Sequence, residues 1–213
     1  MLFRSRPPGQ PDRRSGTGTR CAVKRYTSSP DGVPHARTTV RTGDLFGAST
    51  AVIRDDGLYR YLLTRRRPGS GPPLVMGMLN PSKADHEIND PAVVRCIALA
   101  DRQNASALII FNLFGLRATD PRELRRHRDP VGPENDQYIR ALCMPGMRVV
   151  AAWGNGGILN DRAAAVTGML TAAGVLLVRL GVTGSGQPTH PLARGRHRVP
   201  ADAPLMPYPA VTQ

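Results

Sequence analysis

The chain has 213 residues, 40% hydrophobic and 5% aromatic, so it can bury a mainly aliphatic core in one domain or at most two small ones. No apolar run reaches the ~20 residues that span a bilayer, and no signal peptide follows the first arginines. These features exclude a membrane-spanning class and favour a cytoplasmic protein. Cys96 and Cys143 lie in apolar helical patterns and are expected to be buried free thiols rather than metal ligands.

The formal net charge of +13 is unevenly distributed along the chain. Residues 1–43 contain nine basic and two acidic residues, whereas residues 44–213 contain twenty and fourteen. Only two of the basic residues are lysines. GC-rich coding explains this arginine bias as well as selection for phosphate contacts does, so charge alone does not decide whether the protein binds nucleic acid.

Residues 1–43 are rich in Gly, Pro, Ser, Thr and Arg and have no periodic apolar pattern, which predicts a disordered basic tail. That tail is either an extension without a function or an arm that binds nucleic acid. A single α/β domain is predicted over residues 44–198. A Pro-rich C-terminal tail is predicted over residues 199–213.

Within the domain, Ser49–Arg54 and Leu58–Arg65 flank the turn sequence Asp55-Asp56-Gly57, which predicts an N-terminal β-hairpin. Strands and helices then alternate. This order predicts a three-layer α/β/α domain with a mainly four-stranded parallel sheet. The predicted buried strands are Leu74–Leu79, Ala107–Phe111, Val149–Trp153 and Val175–Leu180, and helices are predicted after Asp90, Asp120, Pro133 and Gly154.

Polar residues follow the C-terminal ends of these four strands. The ends of parallel strands meet along one rim, where open α/β proteins bind ligands. Arginine clusters follow two of the ends, from Arg117 to Arg128 after Asn112 and at Arg194, Arg196 and Arg198 after His190. They suit an anionic ligand, although polar loops with solvated arginines occur on any surface. The residues at the four ends are Asn80-Pro81-Ser82, Asn112, Trp153-Gly154-Asn155 and the stretch from Thr183 to His190.

Six motifs in a fixed order, between about Tyr59 and Leu192, resemble an uncharacterised bacterial family, the domain of unknown function sixteen-forty-three. The motifs are MLNPSKAD, NDPAVVRC, NLFGLRATDP, VGPEND, AAWG and GQPTHPL. Lys83, Ala92 and Ala193 depart from the residues usual in that family. The family resemblance implies no activity.

A more distant resemblance links the same motif order to the uracil-DNA glycosylase superfamily. It implies a uracil-DNA-glycosylase-like fold and hydrolysis of the N-glycosidic bond of a flipped base. By this resemblance Asn80 positions the attacking water, Asn112 reads the edge of the base, and His190 stabilises charge on the departing base. An amide cannot act as a general base, so Asp85 or Asp90 would have to supply the carboxylate.

Two functions remain open at this stage, an N-glycosylase-like hydrolase and a non-catalytic binder of a nucleotide or small anionic ligand on the same rim. Plain structural roles compete with both, above all core packing for Trp153 and helix capping for Asp90. We expect a DNA, RNA or nucleotide ligand, no cofactor, no metal and no membrane partner. The expected catalytic residues are Asn80, His190 and Asp85, and the expected ligand-binding residues are Pro81, Ser82, Asn112, Arg117, Trp153, Gly154 and Asn155.

Overall fold

The computed structural model describes residues 37–43 and 49–208. In these residues, eight strands form one mixed sheet and three α-helices cover it. The strands are β1 (Thr38–Thr42), β2 (Ser49–Arg54), β3 (Arg60–Arg66), β4 (Leu74–Met78), β5 (Ala107–Asn112), β6 (Arg148–Ala151), β7 (Leu176–Arg179) and β8 (Met206–Pro207). The helices are α1 (Pro91–Arg102), α2 (Asn135–Leu142) and α3 (Arg162–Ala172), with 3-10 helices at Pro121–Arg125, Gly154–Asp161 and Gly195–His197.

The sheet has the strand order β1-β2-β3-β5-β4-β6-β7-β8. Its centre consists of the four predicted buried strands, because β4 pairs in parallel with β5 and β6, and β6 pairs in parallel with β7. The other four ladders are antiparallel, including the predicted hairpin between β2 and β3. The prediction of a mainly parallel sheet is therefore wrong for the sheet as a whole, because antiparallel strands extend both of its sides.

Both outermost strands lie in segments that were predicted to be tails. β1 falls inside residues 1–43 and pairs with β2 over five residues, and β8 falls inside residues 199–213 and pairs with β7. Val199 and Ala203 are buried in the core, so the C-terminal segment packs onto the domain. The tail predictions are corrected for these stretches; the rest of residues 1–43, and residues 209–213, lie outside the described residues.

Helices cover both faces of the sheet because successive strand residues point to opposite sides. α1 packs with Met76 and Ile110 in one hydrophobic cluster, whereas residues of α2 and α3 pack with Val75 and Val149 in the other. All five residues of β4 are buried, as expected of a central strand covered on both faces. In the described part of the chain, no helix is long and apolar enough to cross a membrane.

Local start signals fix where two of the helices begin. The Asp90 carboxylate accepts a hydrogen bond from the Val93 N–H (2.9 Å) at the start of α1, and Asp120 forms a capping box with Glu123, which confirms both predicted caps. The helix predicted from Gly154 to Ala173 is instead divided into a 3-10 helix and α3. Asn160 and Asp161 at the division have φ values of 53° and 52°, a conformation that interrupts an α-helix.

Candidate functional site

Backbone hydrogen bonds continue beyond the strands and hold the ends of β4, β5 and β6 side by side. Leu113 N–H donates to Met78 O (2.8 Å), and Ala152 N–H donates to Gly77 O (2.8 Å). The chain beyond β7 joins them, since Gly154 N–H donates to Pro188 O (2.8 Å). A Cβ added at Gly154, whose φ is +66°, would lie 3.6 Å from the His190 Cβ. Asn80, Asn112, Gly154 and His190 therefore lie at the same end of the sheet, the C-terminal end of the parallel strands, which we call the rim.

The Asn80 side chain holds its own turn against the segment that follows β5. Its Nδ2 donates to Ala118 O (2.7 Å) and to Pro81 O (2.9 Å), and Ala118 N–H donates to Pro81 O (2.9 Å). Pro81 is buried and Ser82 is half-buried. Because both Nδ2 protons of Asn80 are committed inside the protein, Oδ1 is the atom of this amide that can meet a ligand or a water molecule.

Asn112 ends β5 and is only 1% exposed. Its Oδ1 accepts a hydrogen bond from Arg60 Nη2 (3.3 Å), which orients the amide so that Nδ2 is a donor without an acceptor among the described residues. Arg60, at the start of β3, is 3% exposed and also donates from Nη1 to Ala84 O (2.6 Å). Burial lowers the pKa of Arg60 to about 10, so it stays charged at neutral pH.

Arg60 was missed by the sequence reasoning, which treated it as one position of a β-rich run. The available signal was a charged residue between Tyr59 and Tyr61 in a strand that is otherwise apolar at its start. Such a residue is exposed in most strands. Here it is buried and bonds to Ala84 O and Asn112 Oδ1, and only the tertiary structure shows that.

Two further residues support the backbone that carries Asn112. Asn135 is fully buried, and its Nδ2 donates to Asn112 O and Leu113 O (3.0 Å each). Arg162 Nε donates to Leu113 O (2.7 Å), and the same guanidinium forms an ion pair with Asp136. The motif VGPEND contains Asn135 and Asp136, so the sequence contained a signal for this support without showing what it holds.

His190 is half-buried in the loop after β7. Burial lowers its pKa, with a smaller opposing effect from Asp90, so the imidazole is neutral at neutral pH. Nδ1 accepts a hydrogen bond from Leu192 N–H (3.1 Å), which assigns the proton of the neutral ring to Nε2. A neutral imidazole of this kind offers one N–H donor that can stabilise negative charge developing on a ligand.

Asp85 has contacts that order its loop rather than expose a base. Its Oδ1 accepts hydrogen bonds from Glu87 N–H and Ile88 N–H (2.9 Å each). Burial alone would raise the pKa of Asp85, but these two N–H groups, together with smaller effects of His86 and Arg117, outweigh burial and lower it. Arg65, which is 4% exposed, donates to Ile88 O (3.3 Å) and Asn89 Oδ1 (2.8 Å). A catalytic role for Asp85 gains no support from these contacts.

The third loop of the rim combines a buried tryptophan with an exposed amide. Trp153 is 1% exposed, its Nε1 donates to Gln187 Oε1 (3.2 Å), and its ring meets Tyr208 edge-on at 5.8 Å between centroids. These contacts agree with the core-packing alternative and offer nothing for stacking on a ligand. Asn155 is exposed, and its Oδ1 accepts from Ser185 Oγ (2.7 Å), which joins this loop to the one before His190.

Arg117 lies in the segment after β5 and is half-buried. Its Nη1 donates to Gly57 O (3.2 Å), whereas its buried Nε has no hydrogen-bond partner. The remaining arginines of the predicted basic clusters are exposed: Arg122, Arg125, Arg126, Arg128, Arg194, Arg196 and Arg198. Arg117 is therefore the member of these clusters that the fold draws towards the interior.

Two clefts open elsewhere on the described surface. One of about 680 Å³ lies between α2 and α3 beside Arg140 and Cys143, and one of about 170 Å³ lies beside Arg95, Leu180 and Pro191. Neither is lined by Asn80, Asn112 or His190.

Cys96 and Cys143 are buried free thiols, as predicted. Among the residues that the structure covers, no group of His, Cys, Asp and Glu side chains could hold a metal ion.

Similarity to known proteins is found in one family model. No curated protein and no solved structure matches the chain, so the resemblance to uracil-DNA glycosylases is not confirmed. The model of a family described as "protein of unknown function (DUF1643)" matches residues 60–192, more than half of the chain and all of the rim. The chain therefore belongs to the DUF1643 family.

Proposed function

We propose that the rim binds a ligand with a nucleobase, either a free nucleotide or a base in DNA or RNA. The observation that carries this proposal is the Asn112 amide, which is 1% exposed and held through Oδ1 by Arg60. An oriented amide can donate from Nδ2 and accept through its remaining Oδ1 lone pair, which is the pattern that the edge of a base requires. His190 adds an N–H donor on a neighbouring loop of the rim.

Ligand binding is tested by thermal shift and calorimetry of the full-length protein with nucleobases, nucleotides and oligonucleotides. A ligand at 100 times its Kd stabilises the folded state by about 2.7 kcal/mol. We expect Asn112→Ala to abolish this stabilisation. Asn104→Ala is the matched control, because Asn104 is an exposed amide that precedes β5 and lies at its opposite end. Absence of binding by the wild type in all three ligand classes would refute the proposal.

Oligonucleotide binding through the basic N-terminal residues is a separate explanation that the same experiment can isolate. A variant lacking residues 1–36 keeps every residue of β1. If the rim binds the ligand, affinity persists in this variant. If binding is nonspecific and depends on the N-terminal charges, affinity disappears, and in the wild type it falls steeply as salt is added.

Hydrolysis of an N-glycosidic bond is the second candidate function, and the protonation state of His190 favours it. A neutral Nε2–H donor can stabilise the negative charge that the departing base acquires. Asn80 Oδ1 can accept a hydrogen bond from the attacking water. An amide cannot remove its proton, and the lowered pKa of Asp85 makes that carboxylate a weak base. The base would therefore leave with the bonding electrons as an anion, water would add to the sugar carbon, and the proton that this water loses would pass to the departed base or to bulk solvent. The protein would contribute charge stabilisation and water positioning.

The reaction is tested with oligonucleotides that contain uracil, hypoxanthine or mismatched bases. We expect base release by the wild type that exceeds release by Asn112→Ala and His190→Ala. Equal release by the wild type and both variants would reject hydrolysis. Ligand binding without release would leave the binding proposal standing alone.

A further inference from the structure

We infer that Arg60 and Arg117 form a subsite for a phosphate group of the ligand bound at the rim. This inference rests on the proposed function and names the class of ligand, a nucleotide rather than an uncharged base or nucleoside. Two observations support this subsite. Both arginines have N–H donors without a hydrogen-bond partner, and they lie on two segments that pair with each other.

Arg60 is a buried cation without a carboxylate in ion-pair contact. Asp90 and Asp85 act to raise its pKa, but burial outweighs them and lowers it. Of its five N–H donors, one reaches Ala84 O and one reaches Asn112 Oδ1, while Nε has no partner. No described carboxylate forms an ion pair with it. A buried charge that is only partly compensated destabilises a fold, so a ligand that completes the neutralisation explains why an arginine occupies this position.

Arg65 shows that burial on the same strand does not by itself leave a guanidinium unpaired. It is 4% exposed, against 3% for Arg60. Its Nε donates to Asn89 Oδ1 (2.8 Å), Nη1 to Thr64 O (3.0 Å) and Nη2 to Ile88 O (3.3 Å). All three nitrogens of Arg65 are therefore used within the protein. The two buried arginines of β3 thus differ, because every guanidinium nitrogen of Arg65 is hydrogen-bonded whereas Nε of Arg60 has no partner.

Backbone pairing places Arg117 on the same face as Arg60. Tyr59 and Leu116 form an antiparallel bridge, and hydrogen bonds on either side of it join Arg60 N–H to Gly115 O (2.9 Å) and Arg117 N–H to Leu58 O (3.0 Å). Residues next to a bridged pair point away from that pair's face. Arg60 and Arg117 are therefore diagonal neighbours on one face, a relation that corresponds to about 7–8 Å in an antiparallel ladder.

The two arginines share further features that favour an oxyanion between them. Arg117, like Arg60, has a buried Nε without a partner. The nearby carboxylates are occupied, because Asp90 caps α1 and Asp85 accepts two backbone N–H groups. A phosphate has oxygens that point in several directions and can accept from two guanidinium groups at once. A carboxylate has only two oxygens in one plane and bridges such a pair less well.

The inference is tested by calorimetry of the full-length protein with a nucleoside 5′-monophosphate, the matching nucleoside, inorganic phosphate and acetate. We expect the monophosphate to bind at least tenfold more tightly than the nucleoside. Arg117→Met should remove most of that difference. Arg60→Met should remove it and also weaken nucleoside binding, because Arg60 Nη2 holds the Asn112 amide. Arg67→Met is the matched control, because Arg67 follows the opposite end of β3 and forms an ion pair with Asp101; this variant should bind like the wild type.

The outcomes separate the subsite from the proposed function. Nucleoside binding without any gain from the phosphate would overturn the subsite and leave the function intact. Binding of inorganic phosphate that Arg60→Met abolishes, with no nucleoside binding, would support the subsite and reject the function. Competition by acetate as strong as by phosphate would overturn the assignment to phosphate.

Stability of the unliganded protein provides a second measurement. Arg60→Met removes a buried charge but also the hydrogen bonds to Ala84 O and Asn112 Oδ1, so its Tm should fall less than that of Arg65→Met, which loses bonds from all three guanidinium nitrogens. If Arg60→Met unfolds, the role of Arg60 in the phosphate subsite is overturned. The affinity of Arg117→Met for the monophosphate then shows whether Arg117 binds the phosphate alone.

Discussion

Replacing Asn135 by Asp keeps the shape of a fully buried side chain and removes the two N–H donors that hold the end of β5. Asn135 Nδ2 donates to Asn112 O and Leu113 O (3.0 Å each), and these bonds contribute about 1 kcal/mol each. A protonated carboxyl group can still donate to one of the two carbonyls. We therefore expect Asn135→Asp to lower the free energy of unfolding by about 1–2 kcal/mol near pH 4.

The loss should grow with pH. A carboxylate facing two carbonyl oxygens is disfavoured, so the pKa of the new group is raised in the folded state above its unfolded value of about 3.9. The protonated carboxyl group stabilises the folded state fully below its unfolded pKa, and this stabilisation is lost as pH rises towards its folded pKa. Each pH unit in that window costs about 1.4 kcal/mol, which amounts to about 4 kcal/mol at pH 7 if the group stays protonated.

Urea denaturation of the wild type and Asn135→Asp at pH 4.5, 5.5 and 7 measures this effect. Asn155→Asp is the control, because Asn155 is exposed and uses its side-chain oxygen to accept from Ser185 Oγ, an interaction that a carboxylate keeps. We expect the control to stay within about 0.5 kcal/mol of the wild type. If both variants show the same pH dependence, Asn135 does not hold the rim in the way described.

Three further predictions concern buried groups. Because burial lowers the pKa of His190, the free energy of unfolding should fall as pH drops below about 6.5, and His190→Gln should flatten that part of the urea-denaturation profile. Gly77→Ala, whose added Cβ would lie 2.7 Å from Phe111 Cζ, should cost about 1–3 kcal/mol, whereas Gly168→Ala in α3, with nothing within 4 Å, should gain about 0.5–1 kcal/mol; equal signs would contradict this reasoning. Burial raises the pKa of Cys96 to about 12, so iodoacetamide should label it at pH 7.5 only after unfolding.

Local sequence patterns determined the central strands, two helix starts and the position of the rim. The apolar run from Leu74 predicts a strand buried on both faces, because such a run can be identified in the sequence without knowing which strands pair with it. Asp90 and Asp120 predict helix starts because a capping side chain bonds to N–H groups only two or three residues away. Parallel strands share a direction, so the clustering of Asn80, Asn112 and His190 loops at one edge also followed from the sequence.

Tertiary structure decided which strands form the edges of the sheet and which hydrogen bonds each rim side chain makes. β8 has only two residues, and it pairs with β7, from which a long segment of chain separates it. β1 pairs with the neighbouring strand β2, but it lies in a Gly-, Pro- and Arg-rich segment whose composition does not predict a strand. Asn80 donates to a carbonyl 38 residues later, and Arg60 reaches acceptors 24 and 52 residues away. Local periodicity encodes the path of the backbone. Which donors are satisfied, and which remain for a ligand, depends on partners that only folding brings together.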